Sequence, residues 1–378
     1  MFVRYHILRA AVAYNMLTVS FNESDEGKPI YEYYETMLPY TLMKITRLDD
    51  NINRQVINRW ETNSTLTDRA TEAKKMSPAN QRLQPYGNIL ITGAVLPSPL
   101  NGYIYGIDDM MTYAEYVPHG VLNERMRFDD AALFPEMLPN GFRGMTSAEI
   151  RALNNGNTGV DGTMSGDLIR FPDGYFDYLK IYNGESTHLY YLNGRGNDWS
   201  NYQGDEYNCL GAYDFAFRLP PVPEGTYELR IGYTANNRRG MLQFYLGTSS
   251  NRVEMTALDI PLDMRLEGID PLIGWGTAAD DYYYNYADNG VENDKAMHNR
   301  GYMRGPLSYW TPRGHTLARA NSQDLRRIVA RQHFRQGEYW LRFKTALPEN
   351  TSTQFHLDYI EFCPSSVYNN PIYNEDMY

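Results

Sequence analysis

The chain has 378 residues, enough for two or three domains and a sizeable core. Its 46 acidic against 35 basic residues leave a net charge of −11, which argues against nucleic acid as the main partner. No apolar run is long enough to cross a bilayer, and Met1-Phe2-Val3-Arg4-Tyr5-His6 lacks the charged start and apolar stretch of a signal peptide. The count of 33 Tyr, against 14 Phe and 5 Trp, favours amphipathic rings, which serve sheet packing, protein interfaces or stacking on sugars and peptides. Cys209 and Cys363 make no disulfide framework and lie in no CxxC or beside any His, so two buried thiols are expected and a single bridge is the alternative.

In chain order, residues 2–17 carry a mixed helical apolar pattern. Lys28-Pro29 opens a short helix over IYEYYETML, with proline where its missing donor costs little. YTLMKITR, Tyr40 to Arg47, alternates like a strand, and the polar residues 49–82 read as a long loop. Asn88 to Leu96 is apolar enough for a buried strand. Asn101-Gly102 signals a tight turn, and Tyr103 to Met110 follows as a strand.

This order of motifs, FVRYHIL, then ETMLPYTLMKIT, then NILITGAVLPSPLNGYIYGIDDMM, resembles the second half of a fasciclin domain. The matching positions are Tyr5 and His6 of a tyrosine-histidine box, then Asn101, Gly102, Ile107 and Asp108 of a closing strand. The family's first half, with its phenylalanine and aspartate box, has no counterpart here, which implies a fragment of a longer precursor. In such a box His6 is a packed, hydrogen-bonded structural residue, not a catalytic one.

Residues 116–160 read as a connector without period that drapes over a neighbouring surface. Within it Thr146-Ser147-Ala148-Glu149 fits a capping box, and Ile150 and Leu153 give a short helix its apolar side. The run NNGNTGVDGTMSGD that follows is the best domain boundary. From Leu168 onward the pattern is β, broken by Asp-Gly and Asn-Gly turns, with residues 196–208 as a polar loop. Tyr213 to Leu219, Tyr227 to Tyr233 and Met241 to Leu246 alternate with period two. Their separation by Pro220 to Gly225 and Asn236 to Gly240 predicts an antiparallel meander. Ser249 to Asp263 adds a strand, a long excursion spans Gly268 to Gly314, and Leu325 to Ala330, Glu338 to Lys344 and Phe355 to Phe362 close the series before a polar, exposed tail.

Strands so spaced predict a mainly β chain whose C-terminal part is an antiparallel β-sandwich or jelly roll, following an α+β N-terminal part. GTYELRIGYTANNRRGMLQFYL and GEYWLRFKTALPENTSTQFHLDYIEFCPSSVY, with Asp358-Tyr359-Ile360-Glu361 ahead of Cys363-Pro364, resemble a galactose-binding-like sandwich. The expected division is 1–115 partial fasciclin-like domain, 116–160 connector, and 161–378 sandwich. Together the order resembles outer-membrane lipoproteins of Bacteroidota that accompany SusC/SusD-like nutrient importers. That resemblance implies a cell-surface location, with signal and lipid anchor upstream of Met1, and SusC/SusD-like components or other surface lipoproteins as partners.

No HExxH, GxSxG, Walker loop, GxGxxG or Glu-x-Asp-x-x-Glu strand occurs. A pair of carboxylates drawn from distant strands stays open. For a cofactor, calcium is the one candidate: Asp198, Asn201 and Asp205 share a Gly-containing loop, and Asp280, Asp281, Asp288 and Asp294 crowd another, neither with EF-hand spacing. Solvated polar loops, with no bound cofactor, are the favoured reading of both. For ligand or partner binding the sharpest candidates are Tyr282, Tyr283, Tyr284 and Tyr286, flanked by Trp275 and Trp310. The expected function is a non-catalytic surface lipoprotein assisting capture of a glycan or peptide nutrient. A cell-adhesion or matrix-binding protein is the first alternative, a glycoside hydrolase or related enzyme the second.

Overall fold

A computed structural model describes residues 2–19, 30–47, 55–59, 88–91, 101–153, 168–193, 201–276, 288–306, 318–347 and 353–369. The N-terminal part holds α1 (Phe2–Tyr5) and the strands β1 (Ile30–Glu35), β2 (Leu42–Arg47), β3 (Gln55–Ile57), β4 (Asn88–Ile91) and β5 (Gly106–Ile107). After it come β6 (Met126–Asp129), α2 (Ser147–Leu153), β7 (Leu168–Arg170), β8 (Leu179–Ile181), β9 (Leu189–Asn193), β10 (Asp205–Leu210) and β11 (Asp214–Arg218). The chain continues through β12 (Gly225–Thr234), β13 (Met241–Gly247), β14 (Thr256–Asp263), α3 (Asp288–Asn299), β15 (Tyr302–Arg304), β16 (Asp324–Phe334), β17 (Trp340–Thr345), β18 (Gln354–Leu357), β19 (Tyr359–Pro364) and α4 (Ser365–Tyr368).

The described chain is mainly β, in several antiparallel sheets consistent with a β-sandwich. β1 to β5 form one sheet in sequence order. The other sheets run β15-β16-β12-β19-β6, β14-β13-β17-β11-β8 and β18-β10-β9-β7. One core cluster takes Leu229, Ile231 and Tyr233 from the first of these, Phe215, Leu242 and Phe343 from the second, and Tyr191 and Tyr207 from the third. Phe343 is its hub, with ring centroids 4.9 to 5.5 Å from those of Phe215, Phe217, Phe244 and Phe355.

All three runs of the expected meander are strands, but none pairs with the next. β11 pairs with β17 and β8, β12 with β16 and β19, and β13 with β14 and β17. The connections therefore cross between layers, about 10 Å apart, instead of closing hairpins. Pro220, Pro221 and Pro223 carry no amide donor to close one. In the second connection Ala235 N–H is given to Gln323 O (2.7 Å) and Gly240 N–H to Gln354 O (3.1 Å), both outside the turn.

Other expectations are corrected as well. IYEYYE is strand β1, not a helix, because its aromatic residues alternate against β2 from Ile30↔Arg47 to Glu35↔Leu42. Residues 2–17 hold only α1 and a 3₁₀ turn at Tyr14–Met16. The loop expected at 49–82 includes β3, and the strand expected over 103–110 is only β5. Asp205 to Asn208 belong to a buried strand rather than a loop. The excursion contains α3 and β15. The connector does not merely drape: β6 pairs with β19 as an edge of the sandwich, and Val117, Val121, Leu122, Phe134 and Met137 enter its core. The capping box forms, with Thr146 N–H donating to Glu149 Oε2 (2.7 Å) and Glu149 N–H to Thr146 Oγ1 (3.3 Å). Cys209 and Cys363 are separate buried thiols.

The N-terminal sheet is locked to the sandwich by charge as well as apolar contact. Arg143 grips Glu32 with both terminal nitrogens (2.5 and 3.1 Å), and Arg218 grips Glu35 (2.7 and 2.8 Å). Lys44 Nζ lies 2.6 Å from Glu124, which also accepts the Tyr33 hydroxyl at 2.7 Å. Bidentate arginine pairs fix orientation as well as energy.

Gly232 on β12 lies under the ring of Tyr359 on β19; a Cβ there would stand 2.2 Å from Cε1 and Cζ of that ring. Tyr359 is itself wedged against Tyr202, centroids 5.3 Å apart, so it has nowhere to retreat. Gly232→Ala is expected to cost about 3 kcal/mol in urea unfolding, the upper end of ordinary overpacking. A loss below ~1 kcal/mol would show that the two strands part easily.

Candidate functional site

Along β12, Leu229, Ile231 and Tyr233 point into the core while Glu228 and Arg230 point to the opposite face. Glu361 of β19, Arg127 of β6 and Arg326 of β16 share that face, and all are buried. Glu361 is the centre. Arg127 donates to its Oε1 through Nε (2.9 Å), with Nη2 2.8 Å from the same oxygen, and Arg125 Nε is 3.8 Å away. Arg326 Nη1 and Arg230 Nη1 stand 3.5 and 3.6 Å from Oε2. Burial by itself raises the pKa of this carboxyl, but the guanidiniums of Arg326, Arg127, Arg125 and Arg230 outweigh it and hold it down to about 2. Glu228 behaves alike: against the cost of burial, His298 (Nε2 3.1 Å) and Arg230 (Nη2 2.5 Å) hold it at about 2, and Arg331 also pairs with it.

The Gly268 excursion reaches this face through His298 of α3, while its Trp275 joins the core cluster. Trp275, 9% exposed, packs on Arg304, whose guanidinium lies 4.4 Å from its ring centroid. Arg304 in turn bonds Asp294 (Nε–Oδ1 3.1 Å) and Asn293 (Nη2–Oδ1 2.5 Å) of α3, and Arg319 pairs with Asp294. A Cβ on Gly268 would meet Trp275 at 2.4 Å, so the chain can cross under the indole only without one. Trp275 is thus an anchor of the excursion. Tyr282, Tyr283, Tyr284, Tyr286 and Trp310 lie outside the described residues, as do Asp280 and Asp281. Asp294 is held by arginines, and Asp288 is the first residue of α3.

A second polar centre lies where β18 leaves one sheet and β19 joins another. Asp358, at the break, accepts the Tyr202 N–H on both oxygens (2.8 and 2.9 Å), and its carbonyl accepts Asp130 N–H (3.2 Å). Asp129, Asp130 and Asp205 are buried nearby, each able to bring an oxygen within 4.8 Å of the other two. Of the expected calcium loop, Asp205 belongs to this cluster and Asn201 is buried one residue before Tyr202. Asp198 lies outside the described residues. Sequence reasoning missed Asp129 and Asp130 because they sit 75 residues and more from Asp205 along the chain, on an edge strand taken for connector. The adjacent carboxylates at the end of an apolar-alternating MRFDD run were the available signal.

Two histidines are structural. His6 Nδ1 donates to Phe2 O (3.0 Å) and Nε2 accepts Met111 N–H (3.4 Å). His356 is buried, accepts Thr234 N–H on Nδ1 (3.1 Å) and pairs through Nε2 with Glu206; burial lowers its pKa.

Glu361→Gln leaves four guanidiniums around a neutral amide and is expected to cost ~3–5 kcal/mol by denaturant unfolding. Because the folded carboxyl sits at about 2 and its ordinary value is 4.5, this stabilisation is complete above pH 4.5 and is lost as pH falls toward 2. The gap between wild type and variant should narrow over that interval; a constant gap would mean that packing, not charge, sets it. In comparisons with known proteins, no family model matches the chain and no curated protein is significantly similar to it.

Proposed function

We propose that the chain is a non-catalytic accessory lipoprotein of the cell surface, which assists capture of a glycan or peptide nutrient beside a SusC/SusD-like outer-membrane importer. The observation that carries this reading is the commitment of five acids, all outside the Asp129–Asp130–Asp205 corner, to internal pairs. Glu228, Glu361, Asp214, Asp294 and Glu206 each hold an arginine or histidine inside the protein. Glycoside hydrolysis instead wants two carboxyls facing each other across a groove, about 5–9.5 Å apart. Binding needs a rigid platform and a mobile or adaptable contact surface, with aromatic faces for sugar rings or peptide.

The contact residues of this proposal are Tyr282, Tyr283, Tyr284, Tyr286 and Trp310, with Trp275 anchoring the segment that carries them onto the sandwich. We read the sandwich as galactose-binding-like and the N-terminal sheet as the second half of a fasciclin-like domain. The positions of Tyr5 and His6 support the latter: Tyr5 is buried and accepts Asn58 Nδ2–H at 2.6 Å, and His6 ties α1 to Met111.

Capture of the tagged, full-length protein from native outer membranes should bring down SusC-like and SusD-like components. Recovery of the protein alone would overturn the importer reading. In isothermal titration against nutrient oligosaccharides and peptides, Tyr284→Ala combined with Tyr286→Ala should weaken binding about tenfold or more, the loss of ~1.4 kcal/mol or greater expected of aromatic contacts. Release of reducing sugar from a polysaccharide, abolished by one carboxyl substitution, would establish the hydrolase instead.

A further inference from the structure

Two strand ends and a turn meet at the carboxylate corner. Asp129 is the last residue of β6, Asp130 opens the 3₁₀ turn Asp130–Ala132, and Asp205 is the first residue of β10. Their oxygens are only partly used. Asp130 Oδ1 accepts Ala131 N–H (2.5 Å), Asp205 Oδ2 accepts the Tyr191 hydroxyl (2.5 Å), and Arg143 Nη2 lies 3.0 Å from Asp129 Oδ2. Asp129 Oδ1 and Asp130 Oδ2 accept no hydrogen bond among the described residues.

A separate observation points the same way. Tyr207 stands two residues after Asp205, hence on the same face of β10, and is 2% exposed. Its hydroxyl has no hydrogen-bond partner among the described residues. The carboxylates of Asp130, Asp205 and Asp129 are its charged neighbours. A buried tyrosine hydroxyl normally finds a partner. Here one is missing at the very spot where carboxylate oxygens are also unclaimed.

Charge decides what fills such a place. Four carboxylates, Asp129, Asp130, Asp205 and Asp358, gather here, and Arg143, shared with Glu32, pairs with Asp129. Uncompensated, like charges at this spacing in a dry interior cannot all ionise. Among the described residues the donor set is oxygen only, with no thiol or imidazole in the cluster, which suits a hard cation and not zinc. We propose that Asp129, Asp130 and Asp205 bind one calcium ion at this corner, with the Tyr207 hydroxyl in its wall. The assignment keeps Asp205 of the loop singled out in the sequence and replaces Asp198 and Asn201 by two residues of β6. Because Asp129 shares Arg143 with Glu32 of β1, the ion also steadies the junction between the N-terminal sheet and the sandwich. It does not depend on the nutrient-capture reading.

The test uses the full chain. After purification in calcium and exhaustive dialysis into metal-free buffer, native mass spectrometry and elemental analysis should find one calcium per chain. Chelation should lower Tm by several degrees, restored by calcium and less well by magnesium. Asp130→Asn and Asp205→Asn should abolish both the retained ion and the calcium-dependent rise in Tm, and Tyr207→Phe should leave the fold intact and weaken calcium binding severalfold. Wild-type protein that carries no calcium, with the same Tm in calcium and in chelator, would overturn the proposal even if the asparagine variants fail to fold. So would an Asp130→Asn protein more stable than wild type and indifferent to calcium, the behaviour of a proton-sharing cluster.

Discussion

The sheet β15-β16-β12-β19-β6 is apolar on one side and ionic on the other, and its ionic side is as dry as its apolar one. Four arginines drawn from β6, β12, β16 and the residue before β6 converge on Glu361. Taking these charges out of water costs several kcal/mol per ion, so each is tolerable only where its partners sit in register. That requirement ties the order of strands to the identity of side chains: Arg230 and Glu361 face each other in the β12–β19 ladder, and Arg127 and Glu361 in the β19–β6 ladder. A slip of one residue would put a guanidinium into the core and a leucine or isoleucine against an arginine.

What covers this face follows from the same constraint. α3 supplies His298 to Glu228 and Asp294 to Arg304 and Arg319, and Trp275 closes over Arg304. The excursion is therefore fastened at both described ends, around a middle that carries the tyrosine run. The N-terminal sheet is held by analogous means, through Glu32, Glu35 and Lys44, and one of those pairs runs on to Asp129 at the carboxylate corner. Ionic contacts, alongside apolar ones such as Tyr33 on Phe128, thus join the parts of this protein to each other.

Local pattern was enough for many elements. Period-two alternation located β11, β12, β13, β16 and β17, because a strand with one face in the core writes that period into its own residues. The Thr146–Glu149 box and the two separate buried thiols were equally local in origin. The helix expected at Ile30 failed for a local reason too: Ile30, Tyr33, Tyr34, Met37 and Leu38, spaced three and four apart, fit a helical stripe as well as a strand, and only β2 resolves the ambiguity by pairing with it.

Pairing itself was beyond the sequence. Short turns with Gly and Asn signal a hairpin equally when the next strand crosses to the opposite layer, since the turn residues report backbone reversal and not the partner reached afterwards. Nor could residue order show that Asp129, Asp130 and Asp205 meet, or that Arg125, Arg127, Arg230 and Arg326 surround one glutamate, because each group is assembled across strands far apart in the chain. What the residues alone determined is where strands lie and which face of each is apolar. Which strands adjoin, and hence which charges are buried together, was decided by the packing of layers, where non-local contacts set the energy.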